Sequence, residues 1–265
     1  MRYYVVSDIH GFYKEFIISL REQGFFEDEV EHKLIVCGDL FDRGLEAKEL
    51  QDFIIDLIKK DEVILIRGNH EDLLIELVNN LSSWVTPNLM YTHHWHNGTV
   101  STLLQLSDMN LMDIFANTEE CQKRMKETPF FKIIVPHLLD YYETKNYVFV
   151  HGSIPCFLVG DGSKDSDIFV YEEGWRNASL SKWNKARWVN GMLAAYKGIL
   201  IKDKTIVCGH WHSSFGHAIY EGKGKEFGKS AIFEPYYGKG IIAIDACTAY
   251  SKKVNCIIIE DEPIS

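Results

Sequence analysis

Eight side chains carry the chemistry that this sequence can offer: Asp8, His10, Asp39, Asn69, His70, His151, His210 and His212. Carboxylate, imidazole and amide oxygen together form a mixed oxygen and nitrogen donor set. Such a set suits manganese, with iron, zinc, nickel or cobalt as alternatives. The donors are too many for one ion and sufficient for two, and a carboxylate such as Asp39 can bridge a pair. Two ions about 3.5–4 Å apart clamp both the attacking and the leaving oxygen of an in-line phosphoryl displacement. Asp8 and His10 stand two residues apart at the end of an apolar run, so a strand would point both the same way. His210 and His212 share that spacing. A single Asp-x-His is common by chance, and a histidine at a strand end is more often structural. The weight lies in five successive apolar runs that all end in residues of this kind.

Those runs are Tyr3–Val6, Leu34–Cys37, Val63–Ile66, Tyr147–Val150 and Ile206–Cys208. Short, β-branched and bounded by glycine or polar residues, they read as strands buried on both faces. Helix-period segments at Tyr13–Glu22, Glu46–Lys60 and Asp72–Asn79 separate the first three. The alternation predicts βαβ units and a largely parallel sheet, an α/β fold. In such sheets ligands bind beyond the carboxyl ends of the strands, where the eight residues fall. After His212, Gly216–Tyr220, Ile241–Ala246 and Val254–Ile259 read as antiparallel strands of a second sheet, the last two joined by a turn at Ser251-Lys252-Lys253.

Two regions interrupt the alternation within one expected domain of 265 residues. Residues 79–145 read as a helical insertion, and residues 155–200, with Trp175, Trp183 and Trp188, as a loop-rich cap. The formal net charge of −10 argues against a nucleic acid polymer or an anionic membrane as partner. No run approaches the roughly 18 apolar residues of a membrane span. The start resembles no signal peptide, and six cysteines without a Cys-x-x-Cys pair read as free thiols, so a cytoplasmic location is expected. Oligomeric state is not readable.

Asp8-Ile9-His10-Gly11, Gly38-Asp39-Leu40-Phe41-Asp42-Arg43-Gly44, Arg67-Gly68-Asn69-His70-Glu71, His151-Gly152 and Gly209-His210-Trp211-His212 resemble, in order and spacing, the calcineurin-like metallophosphoesterases. Asp-Arg-Gly and Arg-Gly-Asn-His-Glu are closest to the phosphoprotein phosphatase branch, including bacterial Ser/Thr phosphatases. The resemblance implies a four-layer α-β-β-α sandwich and two divalent ions. It places one ion on Asp8, His10 and bridging Asp39, and the other on Asp39, Asn69, His151 and His210. It implies a metal-bridging hydroxide that attacks phosphorus directly, His70 as general acid oriented by Asp42, and Arg43 and Arg67 gripping the phosphate. The implied substrate is a phosphorylated protein or a small phosphate ester. Hydrolysis of a bis(5'-nucleosyl) tetraphosphate or related nucleotide is the alternative on the same core. A non-catalytic scaffold is disfavoured, because the acid and ligand positions are all kept.

The pattern is not followed everywhere. Ser7 stands where glycine is usual, and Leu45 follows Gly44 where proline is common. The second histidine of Gly-His-Trp-His makes His212 an expected extra ligand of the Asp8 and His10 ion. Arg187, and behind it Arg176, are the candidates for a third phosphate-binding arginine. The bland reading is preferred for His93-His94-Trp95-His96 as a polar loop or cap surface rather than a second metal cluster, because adjacent histidines on a helix diverge. It is preferred too for the tryptophans as packing rather than a base platform, and for Asp245 as a loop brace rather than a metal ligand.

Overall fold

The computed structural model describes residues 1–159 and 168–264. The β-branched runs and amphipathic segments of the first part fold as β1 (Arg2–Val6), α1 (Tyr13–Glu22), β2 (His32–Cys37), α2 (Ala47–Lys59), β3 (Val63–Ile66) and α3 (Asn69–Asn79). There follow α4 (Leu81–Trp84), α5 (His93–His96), α6 (Thr99–Ser107) and further short helices as far as His137. The remaining strands are β4 (Leu138–Leu139), β5 (Tyr142–Glu143), β6 (Tyr147–Phe149), β7 (Cys156–Val159), β8 (Ile168–Tyr171), β9 (Thr205–Cys208), β10 (Tyr236–Gly238), β11 (Ile241–Ala243) and β12 (Cys256–Glu260).

Ten of these strands form two five-stranded sheets, ordered β12-β1-β2-β3-β4 and β10-β11-β9-β6-β5. The β1-β2-β3-β4 pairs are parallel, as are β6-β9-β11, with β12, β10 and β5 antiparallel at the other three edges. Tyr3, Val5, Ile35, Ile66, Phe149, Val207 and Ile257 form the core between the sheets. On the outer face of the first sheet, Tyr4, Val6, Leu34 and Val36 pack against Phe16, Leu20, Leu50 and Ile54 of α1 and α2. On the outer face of the second, Val148 and Ile206 pack against Trp183, Met192 and Ala194. Helix, sheet, sheet, helix is therefore the layering, and burial of both faces explains why the strands read as unbroken apolar runs.

The C-terminal expectations need correction. Gly216–Tyr220 belongs to a helix, Ser213–Tyr220, because a short apolar run has no period that separates strand from buried helix. Gly216 lets that helix press on β10, since a Cβ there would stand 2.6 Å from Tyr236. Nor do Ile241–Ala246 and Val254–Ile259 form a hairpin. β11 lies parallel to β9, the helix Thr248–Ser251 intervenes, and β12 crosses to pair antiparallel with β1 in the other sheet.

In the expected cap, β7 and β8 pair as a hairpin and helices Leu180–Ala186 and Gly191–Tyr196 follow; residues 160–167 lie outside the described residues. Trp175 and Trp183 are buried in the outer core of the second sheet, whereas Trp188 is exposed. All six cysteines are free. Among the described residues no helix is long and apolar enough to cross a membrane.

Candidate metal centre

The strands stop one or two residues short of the chemistry. β1 ends at Val6, β2 at Cys37 and β9 at Cys208, and the chain then turns sharply. Asp8, His10, Asp39, Asp42, Arg43 and His210 all take left-handed backbone conformations, with φ between 50° and 76°. Such φ values are uncommon outside glycine and tend to cluster at functional sites. Asp8 and His10 thus converge through turn geometry, not through strand alternation. Gly68 allows the close approach that β3 requires, because a Cβ there would stand 2.1 Å from Asp39 Oδ1.

Asp39 is the hub. Its carboxylate lies 3.7 Å from His10 Nε2, 3.9 Å from His70 Nε2 and 3.3 Å from His151 Nε2. Ligand atoms of His10, Asp39 and His70 lie within 4.8 Å of one another, and so do those of Asp39, His151 and His210. Asp39 belongs to both groups, the position of a bridging ligand. Asn69 joins the second group through Oδ1, 2.7 Å from His151 Nε2. Asp8 stands 3.9 Å from His10 Nε2, and its carboxylate accepts the backbone N–H of His210.

The donor chemistry fits divalent ions. The carbonyl of Phe41 accepts from His10 Nδ1 at 3.0 Å, and that of Cys37 from His151 Nδ1 at 2.8 Å. Each ring is thereby fixed as a tautomer whose bare Nε2 faces carboxylate or amide oxygens. Lone pair against lone pair in a buried cluster is repulsive unless a cation lies between them. Without one, protons must do that work. Burial works against charging His151, but the facing Asp39 charge outweighs it and pushes the ring up to about 10. Burial also favours a neutral Asp39, yet His151, His70 and His10 hold that carboxyl well below its usual range. Burial and then the His151 charge pull His210 down to about 3, which leaves it the neutral imidazole that a metal binds.

His70 points its Nε2 toward Asp39 and is held from the opposite side of the ring. Its Nδ1 stands 2.7 Å from Asp42 Oδ2, and Arg43 reaches its Nε2 at 3.4 Å. Burial disfavours charge on the ring, but Asp39 and Asp42 together raise His70 above its ordinary value. Asp42 is held in turn by the hydroxyls of Thr99 and Thr102, each donating at 2.8 Å. Gly98 brings the start of α6 against the Arg43 backbone, where a Cβ would stand 2.4 Å from its nitrogen. Sequence reasoning missed these threonines. Their spacing on one helical face was the available signal. Glu71, noted only within its motif, accepts backbone N–H groups of Gly68, Asp39 and Leu40 at 2.8–3.0 Å. Burial, then the Asp39 charge, push Glu71 up to about 7.

The arginines separate. Arg43 is exposed at the rim. Arg67 is half-buried and bound to Asp72 at 2.5 Å. Arg187 is not free to meet phosphate, because its buried guanidinium donates to Asp72, Asn184 and Asp140. Through Asp72 it backs Arg67. Arg176 lies apart, paired with Glu143 and stacked on Trp175. His212 is likewise outside both ligand groups. It precedes the helix Ser213–Tyr220, and its Nε2 stands 3.0 Å from Glu226 Oε1. Asp245 is buried and accepts from the Cys247 N–H at 2.6 Å, bracing the turn that leads to Thr248. The Thr248 hydroxyl then donates to the Asp8 carbonyl.

The profile of the calcineurin-like phosphoesterases matches residues 1–242. The chain belongs to that family. Among curated relatives, an asymmetrical bis(5'-nucleosyl)-tetraphosphatase of Bacillus velezensis is 28% identical over 176 residues, 64% of each chain. Another asymmetrical enzyme, from Anoxybacillus flavithermus, is 32% identical over 35% of this chain and 40% of its own. A symmetrical bis(5'-nucleosyl)-tetraphosphatase of Buchnera aphidicola is 41% identical over 28% of this chain and 26% of its own. The chain thus spans between 26% and 64% of the length of these relatives. A cold-active protein tyrosine phosphatase structure superposes with TM-score 0.50 at 17% identity, over 98% of this chain and 73% of that one. That likeness shows the fold alone. Membership of this family, whose members use divalent metals, agrees with the His and Asp groups that could hold such ions here.

Proposed function

We propose that this phosphoesterase is a dimetal-dependent phosphomonoesterase of Ser/Thr protein phosphatase type, acting on a phosphorylated protein or a small phosphate ester. The observation that carries the reading is the Asp42–His70 pair at 2.7 Å, turned toward Asp39 and flanked by Arg43. A positioned acid matters most when the leaving oxygen is a strongly basic alkoxide, and least when it is a phosphate or phenolate. Asp8, His10, Asp39, Asn69, His151 and His210 would hold two divalent ions, which would supply Lewis acidity toward phosphate oxygens and lower the pKa of a bound water. Manganese is the first choice of ion for this donor set. His70 donates a proton from Nε2 to the departing oxygen while Asp42 holds the opposite ring nitrogen. Arg43 and Arg67 bind non-bridging oxygens, where charge grows in the transition state.

A second reading is hydrolysis of bis(5'-nucleosyl) tetraphosphates, the activity named for the curated relatives. Trp188 favours it. This indole is 52% exposed, and its ring centroid lies 5.8 Å from that of His210, where a nucleobase could stack. The deciding experiment is a panel of phosphopeptides, alkyl and aryl monophosphates and dinucleoside polyphosphates, with manganese and with chelator. Highest kcat/KM on alkyl monoesters or phosphopeptides supports the first reading. Highest kcat/KM on dinucleoside tetraphosphate replaces it with the second.

A further inference from the structure

The sequence reading treats His93 and His94 as polar surface, because neighbouring side chains on a helix diverge by about 100°. The structure differs. α5 is only four residues long, and the His93 and His94 rings lie 4.0 Å apart with their planes 40° from one another. Glu76, further along the helix that begins with Asn69 and His70, brings a carboxylate to both. Ligand atoms of Glu76, His93 and His94 lie within 4.8 Å of one another. His94 is fully buried, and its Nδ1 has no hydrogen-bond partner. Its Nε2 stands 2.5 Å from Glu76 Oε2, a contact between two of the prospective ligands. A buried imidazole left in this way is costly unless something else satisfies it.

The surroundings resemble the outer shell of a metal site. The Trp84 indole donates from Nε1 to Glu76 Oε1 at 2.9 Å, which aims the other carboxylate oxygen at His94. The same indole packs edge-on against both imidazoles, at 5.1 and 4.7 Å. His93 is exposed, so an ion has a route in and a fourth position for water. Burial, then the neighbouring His93, lower His94 below its ordinary value and keep it in the neutral form that ligates.

The geometry points to a third metal site, separate from the Asp39 centre, in which Glu76, His93 and His94 hold one divalent ion of the zinc class. Two imidazoles and one carboxylate suit zinc, copper or nickel better than magnesium or calcium. An ion there would tie α3 to α5, close to the α6 threonines that hold Asp42.

The test titrates zinc into the full chain preloaded with excess manganese and counts ions by mass spectrometry. Wild type is compared with His93→Ala, Glu76→Gln and Asp39→Asn. His93 is exposed, so its replacement leaves the fold intact, which a thermal melt checks. Wild type should bind one zinc more than His93→Ala, and zinc affinity should fall at least about tenfold in Glu76→Gln. Asp39→Asn should keep that zinc while losing ions at the main centre. Equal zinc counts and affinities in wild type, His93→Ala and Glu76→Gln would overturn the site, whether no further ion binds or one binds elsewhere.

Discussion

The two flanks of Asp39 are built by different means. On the metal flank, backbone carbonyls of Phe41 and Cys37 aim His10 and His151, and the Trp188 backbone bonds His210. On the acid flank, side chains do the aiming: Thr99 and Thr102 hold Asp42, and Asp42 holds His70. A carbonyl is present whatever residue carries it, so the metal flank depends on where strands end and little on what surrounds them. The acid flank depends on two hydroxyls delivered by an inserted helix. Metal binding and proton delivery are therefore separable by mutation.

The largest effect should come at the hub. Asp39→Asn removes the carboxylate shared by both ligand groups, and affinity for divalent ions should fall more than the roughly 10–100-fold typical of an outer-shell change. Turnover should vanish with it. Normal activity in this variant would end the bridging assignment. His70→Asn comes next and belongs to the other flank. Ion stoichiometry should stay at the wild-type value while kcat on an alkyl phosphate drops about 10²–10⁴-fold. p-Nitrophenyl phosphate, whose leaving group hardly needs a proton, should lose much less. Equal losses for both substrates would remove the acid role.

Asp42→Asn separates the flanks by pH. Asp39 and Asp42 raise His70 above its ordinary value against the opposing effect of burial. An acid works while protonated, so activity is present below the folded pKa and lost as pH rises through it. The basic limb of kcat/KM should therefore lie at lower pH in Asp42→Asn, where one raising charge is gone, than in wild type. A limb that does not move would detach Asp42 from the proton.

The same contrast explains what could be read from sequence. The parallel strands and the first helices were legible because buried strands and amphipathic helices leave periodic patterns; α1 coincides with the predicted Tyr13–Glu22. The strand-end positions of Asp8, Asp39, His151 and His210 followed from those patterns. Illegible parts depend on tertiary placement. Nothing local to Thr99 says that α6 packs over Asp42, and nothing local to Arg187 says that Asp72 and Asp140 will surround it. The helix Ser213–Tyr220 was misread for a different reason, since a short apolar run carries no usable period. His93 and His94 read as diverging, not as a metal cluster, because the regular-helix rule fails over a helix of four residues.

Smaller effects probe the inserted helix and the rim. Thr99→Val with Thr102→Val keeps side-chain shape but strips Asp42 of both hydroxyl donors. Each lost hydrogen bond to a charged group is worth about 1.5–3 kcal/mol in isolation, partly recovered if water replaces it. A fall in kcat of about tenfold, or about 1.4 kcal/mol, is expected on alkyl esters, with ion content unchanged. Loss of ions in that variant would show that the flanks are not separable. His212→Ala should do least. Because its Nε2 is taken by Glu226, both ions should remain, with affinities within about tenfold of wild type. If one ion is lost, His212 returns to the metal flank and Glu226 becomes the residue that orients it, so the measurement decides between a ligand and a neighbour.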